Sequence, residues 1–157
     1  MNDRHVALIN DFFDALGRAD FAAMERCYHP DVSFSDPIFQ EVEGRDRVMA
    51  MWRLQLGVRE GLRSEYRDVT ADDFTGTAHR TSRYTFSSTG REVANEVDAL
   101  FRFDGGLIIR HRDDFDFKRW SRRALGRPHS ALFGWTPMWR KTIRDGAARQ
   151  LDNLHKA

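Results

Sequence analysis

Apolar residues recur every three or four positions near the N-terminus and alternate with polar residues further along the chain. The helical spacing predicts three helices, over residues 6–16, 20–28 and 44–56. The alternation predicts five strands, over residues 32–36, 62–70, 76–87, 91–103 and 107–117. Short glycine-containing turns join the last four strands, which is typical of a curled antiparallel sheet. Helices that precede a sheet predict an α+β fold.

A last helix is predicted after the sheet, with Thr136 as its N-cap and Pro137 at its first position. An apolar stripe follows this helix, formed by Trp139, Ile143, Ala147, Leu151 and Leu154. Such a stripe indicates a helix that packs on the domain or on a partner subunit. A second interpretation is that Phe133, Trp135 or Trp139 closes over a pocket.

Length and composition limit the classes of function. The chain has 157 residues, 41% of them apolar, and no repeat or linker divides it. We therefore predict one domain over 1–157, with an α+β part at 1–118 and a helical extension at 119–157. The balance of 25 basic and 24 acidic side chains argues against binding to nucleic acid or to a membrane surface. No apolar run reaches membrane-spanning length and Cys27 is the only cysteine, so a cytoplasmic protein is expected.

The most informative chemistry lies on the last predicted strand, where every second side chain points to the same face. One set begins and ends with apolar residues and is placed inside: Leu107, Ile109, His111, Asp113 and Phe115. The other set is placed outside: Ile108, Arg110, Arg112 and Asp114. A buried imidazole and a buried carboxylate two residues apart cost free energy unless they are paired or face a cavity. They are therefore either a satisfied structural pair or part of a site that binds a small molecule.

The same alternation places further polar side chains on the inner face of the neighbouring strands: Arg80, Ser82, Tyr84 and Asn95. Asp36 shares a face with Val32 and Phe34 and directly precedes Pro37. Asp36 therefore either caps a turn or faces the same interior. The outer face carries intermixed acids and bases, which indicates a solvated or dimer-facing surface.

The segment from Ala19 to Pro37 (ADFAAMERCYHPDVSFSDP), followed by Gly44-Arg-Asp and a helix that carries a Trp, resembles the opening of the nuclear transport factor 2-like superfamily. Its SnoaL-like members and the ketosteroid isomerases share this layout, and the resemblance covers residues 6–117. It implies a cone-shaped fold in which a curled antiparallel sheet wraps around the N-terminal helices and encloses a pocket. It also implies a homodimer that forms through the sheet. The superfamily includes isomerases, cyclases, dehydratases, epoxide hydrolases and non-catalytic binders, so the resemblance leaves the reaction open.

At the level of single residues, the chain matches some positions of the family patterns and departs from others. Asp36-Pro37 matches the Asp-Pro of ketosteroid isomerases, in which that Asp is the base. The tyrosine and the second acid of their oxyanion hole fall on Phe12 and Ala99, so steroid isomerisation is not implied. The segment from Gly106 to Asp113 (GLIIRHRD) is similar to the Gly-Lys-Ile-x-x-His-x-Asp pattern of SnoaL-like cyclases, in which the His and the catalytic Asp lie inside.

Two functional hypotheses follow. The first is an enzyme without cofactor or metal that performs isomerase, cyclase, dehydratase or hydrolase chemistry on a small apolar carbonyl or cyclic substrate. Asp113 is its predicted base, His111 the proton partner of that base, and Asp36 a second carboxylate with a raised pKa. The predicted ligand contacts are Tyr84, Asn95, Arg80, Trp52, Phe86, Phe101, Phe115 and Tyr28. The second hypothesis is a non-catalytic module of the same fold, which binds a hydrophobic ligand or assembles dimers.

Overall fold

The computed structural model describes residues 1–126 and 137–156, and in the last helix it describes the side chains of residues 144–153. The helices are α1 (Asp3–Arg18), α2 (Phe21–Cys27), α3 (Arg45–Gly57), α4 (Phe117–Leu125) and α5 (Pro137–Lys156). The strands are β1 (Tyr28–Ser35), β2 (Val42–Glu43), β3 (Arg59–Ala71), β4 (Thr75–Phe86), β5 (Arg91–Asp104) and β6 (Leu107–Asp114). The predicted N-cap Thr136, Phe133, Trp135 and the side chain of Trp139 lie outside the described residues.

The six strands form one open sheet in the order β2-β1-β6-β5-β4-β3, so the predicted α+β class is confirmed. The sheet is mixed and is not closed into a barrel. Strands β3 to β6 pair antiparallel through short turns as expected, but β1 pairs with β6 in parallel. This parallel pairing is possible because α3 and four strands separate β1 from β6, a connection long enough to return in the same direction.

The inner face of the sheet packs against α1 and α3. The predicted inner positions of β4 and β5 are buried, among them Arg80, Ser82 and Asn95. Phe12 of α1 and Trp52 of α3 are fully buried against this face. None of the helices in the described ranges is long and apolar enough to span a membrane.

Two local predictions are wrong for identifiable reasons. Tyr28, predicted in the second helix, has an extended backbone and begins β1, so its side chain enters the core. Ile108, predicted on the outer face, is fully buried. The pairing of β5 with β6 shifts between Arg102 and Phe103, and this irregularity turns Ile108 inwards while His111 keeps its predicted inner position.

Gly76 sits within β4 where the core leaves no room for a side chain. A Cβ atom at this position would lie 2.8 Å from Cδ1 of Ile9 and 3.0 Å from Cζ of Phe103. Because both side chains would have to move, we expect Gly76→Ala to lower the free energy of unfolding by about 1–3 kcal/mol. Gly17→Ala in α1 is the control, since it meets no atom within 4 Å and should stabilise the helix. Urea unfolding monitored by circular dichroism measures both, and equal effects of the two substitutions would contradict this account.

Candidate functional site

The parallel pairing of β1 with β6 places two carboxylates side by side. Phe34 pairs with His111 and Ser35 pairs with Arg112, so the next residues in register are Asp36 and Asp113. Both carboxylates line a pocket of about 360 Å³ at the end of these strands. The structure therefore brings together the two acids that the sequence placed in a shared interior.

Asp113 is held in a buried ion pair. Arg80 Nη2 donates to Asp113 Oδ2 at 2.9 Å, and His111 Nε2 lies 2.8 Å from Asp113 Oδ1. Arg80 Nη1 donates to Ser82 Oγ at 2.6 Å, and the side chains of Arg80 and Asp113 are each only 3% exposed. Burial acts to raise the pKa of Asp113, but His111, Arg80 and their hydrogen bonds outweigh burial and lower it to about 2. Asp113 is therefore ionised at neutral pH.

His111 continues this network into the core. Trp52 Nε1 donates to Tyr28 Oη at 3.0 Å, and Tyr28 Oη lies 2.7 Å from His111 Nδ1. Trp52, Tyr28 and His111 thus form a continuous hydrogen-bonded chain that ends on Asp113. The network fixes the orientation of the Asp113 carboxylate.

Aromatic rings enclose the imidazole of His111. Its ring centroid lies 4.5 Å from that of Phe101, 5.0 Å from that of Phe34 and 5.3 Å from that of Phe12. The aromatic core around His111 includes three predicted ligand contacts, Tyr28, Trp52 and Phe101. In these surroundings His111 is a paired structural group. The roles of the three residues as ligand contacts stay predictions.

The sequence left two interpretations of Asp36 open, a turn cap or a group that faces the interior. The structure agrees with both, because Asp36 caps a turn and lines the pocket. Its Oδ1 accepts hydrogen bonds from the backbone N–H groups of Ile38 at 2.7 Å and Phe39 at 2.6 Å. Burial raises its pKa to about 7, helped by the negative charge of Asp113 and opposed by the two backbone hydrogen bonds. Because Oδ1 already accepts two hydrogen bonds, Oδ2 is the oxygen that carries the proton.

A larger cavity of about 500 Å³ lies between α3, β4, α4 and α5. The predicted contacts Tyr84 and Phe86 line it, together with Trp120 of α4. Trp120 Nε1 donates to Tyr84 Oη at 2.9 Å, so the Tyr84 hydroxyl proton is available to an acceptor. Phe115 packs beside Trp120, with ring centroids 6.5 Å apart.

Five further polar residues line this larger cavity, among them Gln55 of α3 and Arg59 at the start of β3. The sequence interpretation missed Arg59 because it began that strand at residue 62.

The positions that the resemblance assigns to the isomerase oxyanion hole, Phe12 and Ala99, are both buried. Ala99 pairs directly with Asp113, so β6 supplies a carboxylate opposite the position where β5 lacks one.

The remaining predicted contact, Asn95, is buried in β5 opposite Ser82. Within residues 1–126 and 137–156, no three His, Cys, Asp or Glu side chains are grouped so that they could hold a metal ion.

Comparison with known proteins shows which solved structures share this fold. The family model described as a SnoaL-like domain matches residues 9–111. The structure is similar to an LEH-like epoxide hydrolase from M. tuberculosis (22% identity, 83% of this chain and 96% of that chain, TM-score 0.67). It is also similar to a putative polyketide cyclase from Xanthomonas campestris pv. campestris (19% identity, 78% and 97%, TM-score 0.69). TerC, co-crystallized with polyporic acid, is a third such structure (15% identity, 78% and 99%, TM-score 0.70). These similarities show a shared fold, and no curated protein matches the sequence.

The buried ion pair predicts a large effect of removing one charge. Asp113→Asn leaves the guanidinium of Arg80 buried without its counter-charge, so we expect the free energy of unfolding to fall by about 3–5 kcal/mol. Replacing both partners, as Arg80→Met with Asp113→Leu, should recover most of that loss because no unpaired charge remains. Urea denaturation of the single and double variants measures the coupling, and strictly additive effects would contradict the pairing.

The raised pKa of Asp36 predicts a pH-dependent stability difference. A carboxyl group whose pKa is higher in the folded than in the unfolded protein stabilises the fold at low pH. For Asp36 this contribution is complete below the pKa of the unfolded chain, near 3.8, and it is lost as pH rises through about 7. We therefore expect the wild type to lose stability relative to Asp36→Asn between about pH 4 and pH 7. Unfolding free energies of both proteins across this range test the expectation, and a constant difference would refute it.

Proposed function

The chain belongs to the SnoaL-like domain family, and we propose that it is an enzyme that transfers protons on a small carbonyl or cyclic substrate without a cofactor. One observation carries the proposal. Asp36 and Asp113 line the same pocket, yet their pKa values move in opposite directions, to about 7 and about 2. Two carboxylates whose pKa values differ in this way are suited to two roles, because one can exchange a proton while the other stays ionised.

Asp36 is the proton-transfer group in this proposal. With a pKa of about 7, both of its forms are populated near neutral pH, where a general acid or base works best. The sequence interpretation gave the base role to Asp113. We reassign that role because a carboxylate with a pKa of about 2 is a weak base.

Asp113 then acts through its charge. It fixes Arg80, whose Nε is buried and has no hydrogen-bond partner among the described residues. A substrate oxygen that gains negative charge during proton abstraction needs a hydrogen-bond donor that lines a cavity. The Tyr84 hydroxyl, which Trp120 orients and which lines the larger cavity, is the candidate donor.

A second candidate function is a non-catalytic binding module of the same fold. It is favoured by the two hydrogen bonds that Asp36 accepts from Ile38 and Phe39, because turn formation alone accounts for an Asp at this position. In that case the cavity binds a ligand and no proton is exchanged.

Deuterium exchange tests catalysis before the natural substrate is known. We expect the wild type to accelerate the incorporation of deuterium from D₂O into the α-carbon of 2-tetralone, 1-indanone or a related aromatic ketone, followed by NMR. Asp36→Asn should slow this exchange by a factor of about 10²–10⁴, because the general base is lost. The wild-type rate should rise with pH through about 7, as the Asp36 carboxylate forms.

The matched control is Asp31→Asn, which makes the same chemical change at an exposed position of β1. It should retain the wild-type exchange rate. If the wild type binds the ketones but does not accelerate exchange, or if Asp36→Asn exchanges as fast as the wild type, the catalytic proposal is wrong and the binding module is favoured.

A further inference from the structure

Arg59 brings an uncompensated positive charge to the larger cavity. Its guanidinium lies over the ring of Tyr84, 5.0 Å from the centroid, and donates a hydrogen bond to Gln55 Oε1. It forms no salt bridge with any carboxylate among residues 1–126 and 144–153. The side chains outside those ranges include no Asp or Glu. The chain itself therefore supplies no carboxylate side chain that is ion-paired with this cation.

The neighbouring charges do not neutralise Arg59. Arg80 and Asp113 form an ion pair with each other, so their charges largely cancel. Asp36 is protonated in about half of the molecules near pH 7, as its pKa of about 7 dictates. Burial lowers the pKa of the partly buried Arg59, although Tyr84, Asp36 and Asp113 act to raise it. An anionic group from outside the chain would relieve the cost of this burial.

A second donor lies beside Arg59. Gln55 is 7% exposed, and its Oε1 already accepts from Arg59, which fixes the orientation of the amide. Its Nε2 is buried and has no hydrogen-bond partner among the described residues. An arginine and an amide N–H₂ side by side are suited to the two oxygens of a carboxylate.

One part of the remaining wall is apolar and largely aromatic, formed by Ile38, Phe39, Leu54, Phe86 and Trp120, and the other part carries the polar side chains of Ser88, Arg149 and Gln150. Its volume of about 500 Å³ is in the range of small-molecule sites. Aromatic walls favour flat apolar ligands, because ring contacts add to the free energy of burial.

We propose that this cavity binds an aromatic carboxylate, with its rings against Phe86 and Trp120 and its carboxylate on Arg59 and Gln55. The inference rests on the proposed function in one respect: Ile38 and Phe39, whose backbone N–H groups bind Asp36, line this cavity, so its ligand is the candidate substrate of Asp36. Binding itself needs no turnover, so it is tested separately from catalysis.

Isothermal titration calorimetry with 2-naphthoate and 2-naphthamide separates charge from shape, since the two probes have the same rings. We expect the wild type to bind 2-naphthoate at least about tenfold more tightly, the effect of one charge-assisted hydrogen bond. Arg59→Met should remove this preference. Arg63→Met, the same change at an exposed position of the same strand, should keep it.

Gly146 of α5 allows the position of the ligand to be tested. It lines the cavity, and a Cβ atom there would meet nothing within 4 Å. Gly146→Leu should fill part of the cavity and weaken both probes by about tenfold or more, since the ligand loses its space. Gly146→Ala should bind both probes as the wild type does.

Each outcome decides the inference. Equal wild-type affinity for the two probes, an unchanged preference in Arg59→Met, or full binding to Gly146→Leu would overturn it. The first result needs no variant, so misfolding of a variant cannot obscure it. Asp36→Asn should still bind 2-naphthoate, so loss of exchange with retained binding supports both proposals. Exchange in the wild type without a preference for naphthoate overturns this inference alone.

Discussion

Parallel hydrogen bonding between β1 and β6 decides which side chains meet in the interior. It aligns Phe34 with His111 and brings Asp36 level with Asp113 at the end of both strands. If β1 ran antiparallel to β6, the residues after Phe34 would lie towards the start of β6 at Leu107, far from Asp113. The pocket, the proximity of the two acids and their opposite pKa shifts all depend on this one pairing.

Burial of the Arg80–Asp113 pair is possible because its remaining hydrogen-bonding capacity is largely used. A buried ion pair recovers its desolvation cost only when good geometry and further hydrogen bonds accompany it. Ser82 and His111 supply those bonds, and Tyr28 and Trp52 hold His111 in turn. Arg80 and His111 therefore keep Asp113 ionised, and the charge of Asp113 in turn acts to raise the pKa of Asp36.

The inner face could be predicted from the sequence because strands alternate strictly and apolar neighbours mark the buried side. Arg80, Asn95, His111 and Asp113 are buried as that rule requires. The parallel pairing could not be predicted, since it depends on contacts between residues 77 to 80 positions apart and no local pattern encodes it. Ile108 was misplaced because a shift in register leaves the hydrophobic pattern unchanged. Arg59 was missed because strand ends are set by pairing partners, and β3 begins opposite Phe86.

The two cavities are coupled through charge. Arg59 acts to lower the pKa of Asp36, while burial and Asp113 act to raise it. A carboxylate bound at Arg59 would neutralise that lowering influence, so the pKa of Asp36 would be higher in the complex than in the free protein. Thermodynamic linkage makes the effect reciprocal, and protonation of Asp36 would favour binding of the anion. An aromatic carboxylate would thus bind most tightly to the form in which Asp36 holds a proton, which is the form that can donate it.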